Sequence, residues 1–131
     1  MGKDYVKERN DKKAEVLAKC FGRCAYCGCD LTVDSMQMDH IISKVLYRER
    51  SGMYRRIGIR ENGIENLNPA CVSCNDSKGI CTIEQFRERL EVLVDNLRIN
   101  NATFRIAEKY GLVSAEHKKI VFYFETLKVN G

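Results

Sequence analysis

Asn66-Leu67-Asn68-Pro69-Ala70-Cys71-Val72-Ser73-Cys74-Asn75 sets two cysteines in a C-x-x-C pair with an asparagine directly behind the second. A matching pair stands upstream as Cys24-Ala25-Tyr26-Cys27, followed at once by Gly28. Two such pairs supply four thiolates, the full complement of a closed tetrahedral Zn²⁺ site. Glycine behind the first pair is what a tight knuckle turn needs. A closed site leaves no open position for water, so this zinc reads as structural and any chemistry falls to the side chains it fixes. Three of those lie close by in the chain: Asp39 and His40 in Met38-Asp39-His40-Ile41-Ile42, and Asn75 itself.

Working outward, 131 residues make one domain's worth of chain, with 44% hydrophobic and 31% charged residues excluding a disordered tract or a membrane span. The longest apolar run, Ile120 to Phe124, is far short of the roughly 18 residues a span requires. The N-terminal residues have no apolar stretch and are not expected to be an export signal. Seven cysteines in that setting favour reduced thiols and metal ligation in the cytoplasm over a disulfide framework. Cys20, Cys29 and Cys81 are left as ordinary thiols, with Cys29 close enough to Cys27 to compete as a ligand. The net charge of +4 leans towards a polyanionic partner. Its distribution says more: Lys44, Arg48, Arg50, Arg55, Arg56 and Arg60 face the single acid Glu49 within one short stretch.

Periodicity sketches the rest as a single domain spanning 1–131. Ala14, Val16, Leu17 and Phe21 predict a helix over about 11–21, ended by Gly22. Leu31 to Ile42, with β-branched residues and Met36 and Met38 alternating against Gln37, predicts a short strand with Asp39 and His40 at its end. Ser43 to Glu65 reads as an extended loop with a short helix near Val45 to Arg50. Asn68 precedes the only proline and is biased away from helix. One helical turn is expected over Asn75 to Gly79. Beyond it lies a helical extension, 82–131, opened by the capping-box pattern of Thr82 to Gln85. Its apolar face is Ile83, Phe86, Leu90, Leu93 and Leu97. A further helix is expected over Thr103 to Tyr110 before Gly111, and a closing strand over Ile120 to Phe124.

Neighbours on one strand point to opposite faces, so Asp39 and His40 suit different tasks. Asp39 offers a hard oxygen for Mg²⁺ or Mn²⁺, and His40 is the natural general base near neutral pH. Asn75, fixed by Cys74, could complete the cation site with its amide oxygen. Asn66 stands in a turn, where its side chain can lock the loop that orients His40. Lys78, one turn past Asn75, is a candidate phosphate contact, and Arg55 and Arg56 suit the backbone of a nucleic acid.

These motifs resemble the HNH endonucleases, whose ββα-metal core has a strand ending in Asp-His or His-His, a central Asn and a helix bearing a final His or Asn. The matching segments are Met38 to Ile42, Glu65-Asn66-Leu67 and Cys71 to Gly79, with the Cys24 knuckle typical of the zinc-bearing branch. The resemblance covers Cys24 to about Gly79, and later segments are similar to small phage and prophage members. It implies an α+β fold: a ββα-metal core over about 24–79, braced by a four-cysteine zinc site, with a flanking N-terminal helix, C-terminal helices and a short strand. It further implies a DNA endonuclease that leaves 5′-phosphate and 3′-hydroxyl ends. Asp39 and Asn75 would be ligands of one Mg²⁺ or Mn²⁺, His40 the general base and Asn66 the loop-holding asparagine. Lys44, Arg48, Arg55, Arg56, Arg60 and Lys78 would contact DNA. Two features depart from the family pattern. Ser43 stands where many members have proline, and the interval from His40 to Asn66 is lengthened by the arginine-rich stretch. His117 matches no motif and reads as a surface residue.

Two other readings account for the cysteines. A non-catalytic zinc ribbon binding nucleic acid through Lys44 to Arg60 explains cysteines and charge but leaves the Asp39, His40 and Asn75 spacing without a purpose. An electron-transfer iron site held by the same four thiolates predicts a coloured, redox-active protein.

Overall fold

Gln37–His40 (β1) and Leu67–Ala70 (β2) form an antiparallel pair with Gln37 opposite Ala70, Met38 opposite Pro69, Asp39 opposite Asn68 and His40 opposite Leu67. The computed structural model describes residues 2–127. In a two-stranded sheet each strand is an edge, so Pro69 costs no ladder bond, and its carbonyl accepts from the Ala25 amide at 2.8 Å. Every residue of β2 is buried, which is why it shows no alternation in sequence and escapes a period-based reading.

An N-terminal helix, α1 (Gly2–Ala18), lays Val16 against Met36 and Leu67, with Leu17, Leu31 and Met38 around them. The helix ends earlier than periodicity predicts. The Gly22 amide turns back to the Leu17 carbonyl, and Phe21 leaves the helix at φ 55°, 74% exposed. The loop expected over 43–65 holds two short helices, α2 (Lys44–Glu49) and α3 (Ser51–Arg56). Ser43 caps α2 by accepting from the Leu46 amide. Buried Tyr47 pins the pair, donating to the Ile59 carbonyl at 2.6 Å and stacking on Tyr54. α4 (Val72–Lys78) starts at Cys71 and stops at Gly79, whose φ of 51° suits glycine. Together these make an α+β fold.

The described chain divides into two compact units: the residues up to Thr82 with those from Val121, and Ile83–Ile120. The closing strand expected at 120–124 is replaced in the first unit by a short helix, α8 (Tyr123–Thr126), numbered last in chain order. The Glu125 carboxylate accepts from the Phe122 amide and starts that turn, while the Tyr123 and Phe124 amides donate to Tyr26 and Ala25 carbonyls. In the second unit the single helix expected from Ile83 is two, α5 (Ile83–Glu91) and α6 (Leu93–Asn100). Past Val92 the less exposed positions move from the Ile83, Phe86 and Leu90 row to Val94, leaving Leu93 and Leu97 well exposed, so the break re-aims the inward face. α7 (Ala102–Lys109) is capped by Asn101 and followed by Gly111 at φ 71°.

Candidate active site

The four paired cysteines converge. Sulfurs of Cys24, Cys27, Cys71 and Cys74 all lie within 4.8 Å of one another, and Cys27 and Cys71 Sγ are 3.9 Å apart. A tetrahedral ion with thiolates at about 2.3 Å sets its ligands about 3.8 Å apart, so the group has the dimensions to hold a metal. The two knuckles are locked together by backbone donors: the Cys71 amide points at Cys24 Sγ and the Cys74 amide at Cys71 Sγ, each at 3.4 Å. Gly28, at φ 79°, makes the turn behind the first knuckle. Burial pushes the Cys24 and Cys74 thiols up. Burial opposes ionisation of Cys27 as well, yet hydrogen bonds from Cys29, Cys24 and Cys71 bring it down to about 7. A divalent ion supplies the positive charge that four clustered thiolates need. Exposed Cys29, buried Cys20 and half-buried Cys81 stand outside this group of four.

From that brace the chain runs into β1, where Asp39 and His40 face opposite ways. Asp39 is 4% exposed. Its Oδ2 accepts from the Tyr26 hydroxyl, and the Lys78 ammonium lies 3.3 Å from Oδ1 and 3.1 Å from Oδ2. Burial raises the Asp39 carboxyl above its ordinary value, while the Tyr26 bond and the Lys78 charge pull the other way. Burial and the same carboxylate hold the Tyr26 phenol well above its ordinary value, so it stays the donor. Asn68 touches the Tyr26 hydroxyl at 3.5 Å from the partner strand.

Lys78 is placed differently from the phosphate contact expected of it. Its side chain is fully buried and its ammonium also donates to the His40 carbonyl at 3.0 Å, so it grips the end of β1 from within. On the same face of β1, Asn75 Nδ2 donates to Gln37 Oε1 at 2.6 Å, leaving Asn75 Oδ1 with no partner among the described residues. Asn75 and Lys78 thus both reach from α4 to β1. Asn66 is buried and clamps the segment after His40: its Oδ1 accepts from the Ile42 amide, and its Nδ2 donates to the Ile42 and Glu61 carbonyls. His40 points the other way, with Nε2 2.8 Å from Asn62 Oδ1. Asn62 is itself held by Lys12, whose ammonium donates to its carbonyl at 2.6 Å.

Asn62, Tyr26 and Gln37 are neighbours of the site that the sequence reading passed over. Tyr26 had a signal, its place inside the first knuckle, whereas Asn62 had none, because the stretch around it follows no period. Of the basic residues, Lys44, Arg48, Arg55, Arg56 and Arg60 are exposed on α2, α3 and the strand-ward loop. Arg48 pairs with Glu61 and Arg60 with Glu65, and Arg55 and Arg56 have no acidic partner among the described residues. His117, on the surface of the second unit, pairs with Asp95 at 2.7 Å.

Residues 24–80 match the family model described as HNH endonuclease, a likeness over that segment that speaks for nuclease chemistry in general. No curated protein matches the chain significantly. Among the described residues, no helix is long and apolar enough to cross a membrane.

Proposed function

We propose that the chain is a divalent-metal-dependent DNA endonuclease, working as one nuclease domain with a zinc ion on Cys24, Cys27, Cys71 and Cys74. The observation that carries this reading is the His40 to Asn62 hydrogen bond at the end of a strand whose opposite face bears Asp39 and meets α4. With the Asn62 amide oxygen facing the ring, Nε2 carries the proton and Nδ1 keeps its lone pair. His40 Nδ1 then takes a proton from water as the water oxygen bonds to phosphorus in line. The bond from phosphorus to the 3′ oxygen breaks, and that oxygen leaves and is protonated by solvent. The ends are 5′-phosphate and 3′-hydroxyl.

Asp39 and Asn75 would hold Mg²⁺ or Mn²⁺, because both offer hard oxygens on the same face of β1, and the ion would take over the place on Asp39 that the Lys78 ammonium now fills. When bound, such a cation neutralises charge that builds on the phosphate oxygens. Lys78 keeps the His40 backbone in place and Asn66 keeps the chain after it from swinging away. Lys44, Arg48, Arg55, Arg56 and Arg60 offer the exposed charge for the DNA backbone. A reducing host cytoplasm, with a phage-type origin, suits seven reduced thiols.

The test is nicking of supercoiled plasmid with Mg²⁺ or Mn²⁺ by the native protein and by His40→Ala with its zinc content checked. Native protein should nick, and the variant should lose roughly 10²- to 10⁴-fold in rate. Absence of native nicking, or equal nicking by the variant, removes this function and favours a non-catalytic nucleic-acid-binding module.

A further inference from the structure

A cavity of about 440 Å³ opens between α2, α3 and the segment Arg60 to Asn62. Its walls carry Arg48, Arg55 and Arg60 against one carboxylate, Glu61, with the Ser51 hydroxyl as a further donor. Two of the three guanidinium groups are held in place. Arg48 Nε sits on Glu61 at 3.0 Å, and Arg60 grips Glu65 through Nε at 2.8 Å and Nη2 at 3.0 Å. These pairs fix the guanidinium planes and leave further N–H groups for a ligand. The Arg60 hydrogen bonds hold the Glu65 carboxyl down at about 2, so the pairing persists at any working pH. Arg55 has no acidic partner among the described residues, so its whole charge is available. Tyr47, buried and bonded to the Ile59 carbonyl, lines the cavity as a fixed wall.

The last wall residue is Asn62, the same side chain that holds His40. The cavity and the histidine therefore share one residue, and a strand occupying the first passes directly by the second. Its size falls in the range of pockets that take a small organic ligand, well beyond a bare phosphate ion. We infer that this cavity seats one non-scissile phosphate of a nucleic-acid strand, with its attached sugar, next to the phosphodiester presented to His40. This rests on the nuclease reading above and adds a defined subsite that sets where the strand lies.

The experiment uses zinc-loaded full-length protein without added Mg²⁺ and short DNA oligonucleotides in which one phosphate at a time is replaced by an uncharged methylphosphonate. Binding is read by fluorescence anisotropy for native protein, Arg55→Ala and Ser51→Ala. One position should weaken native binding about tenfold, and Arg55→Ala should weaken binding of unmodified DNA by a similar factor while lowering the salt slope by about one. The two losses should not add when the variant meets the modified strand. Arg55 is exposed and unpaired, so zinc content and melting should be unchanged in the variant. Ser51→Ala should show the same non-additivity at the same phosphate with a smaller effect. Losses that add fully, the absence of any sensitive position, or no oligonucleotide binding at all overturns the subsite. Plasmid nicking reports separately: coupling without nicking keeps the subsite and removes the nuclease, and nicking without coupling does the reverse.

Discussion

The two units of this chain are built by different means. The unit containing β1, β2 and α4 uses strands of four residues and helices of four to seven beyond α1, lengths too short to persist alone. Its buried set includes Asp39, Ser43, Asn66, Asn68 and Lys78 alongside Val16, Leu67 and Cys24. No buried side-chain polar atom among the described residues lacks a partner. In the unit of α5 to α7, Phe86 is the fully buried side chain among the described residues, and the charges lie outside as pairs such as Arg98 with Glu108. Polar clamps and a tight cluster of four cysteines specify atom positions more narrowly than a thin apolar face does. The residues with chemical potential sit where that narrower specification operates.

Removing the metal group is the severest way to break this contrast. Cys71→Ser leaves three sulfurs while its hydroxyl can still cap α4, so zinc should be lost and β1, β2 and α4 should lose fixed structure through the ligand alone. Structural zinc is worth on the order of 10–16 kcal/mol in small zinc modules, comparable to or above a whole domain's stability. Zinc analysis with amide NMR checks it. Signals of Met38 to Ile42 should collapse, and those of Leu93 to Lys109 should change least. Equal collapse of both sets would show that the two units are not held by different means.

A step down in size is Lys78→Met. Leaving Asp39 buried without its cation should cost about 3–5 kcal/mol, and pairing the change with Asp39→Asn should recover part of that loss. Urea unfolding of the single and double variants measures both. A cost below about 1 kcal/mol for the single change would mean that the ammonium does not organise β1 and that the pair behaves like a surface bridge.

The chain announces some of this and hides the rest for physical reasons. Cysteine spacing carried the convergence of the four thiols, because ligand chemistry is written in residue type and interval. Alternation carried β1, and Gly111 marked the stop after α7. β2 was hidden because it is buried on both faces and contains Pro69, so it shows neither alternation nor strand composition. Phe21 looked like the last apolar position of α1 and instead stands outside it in a left-handed turn. Lys78 reads in sequence as a phosphate contact because lysine is rarely buried, and only the placement of Asp39 makes its burial tolerable. Asn62 could not be found from pattern, since it comes to His40 through the path of α2 and α3. Asn75 and Lys78 both reach β1, and Asn66 clamps the segment that follows it. Their immediate partners had to be seen in three dimensions.

The smallest expected effect tests the other side of the contrast, in the α6 and α7 pair. Arg98 holds the Glu108 carboxyl below its ordinary value through hydrogen bonds from Nε and Nη2, and it also lies 4.0 Å from Asp95. A carboxyl lowered in the folded state adds stability above its unfolded value and loses it as pH falls through the folded one. Arg98→Met should therefore melt slightly below the parent at about pH 7, and the gap should close in strong acid, at about pH 2, as Glu108 takes up its proton. Molar salt at neutral pH should narrow it as well, because the pair is only half-buried and open to screening. Differential melting at the two pH values, with and without salt, reads all of this. A gap that persists in acid would mean that Arg98 acts through the packing of its aliphatic stem, and that the second unit depends on a buried contact as the first one does.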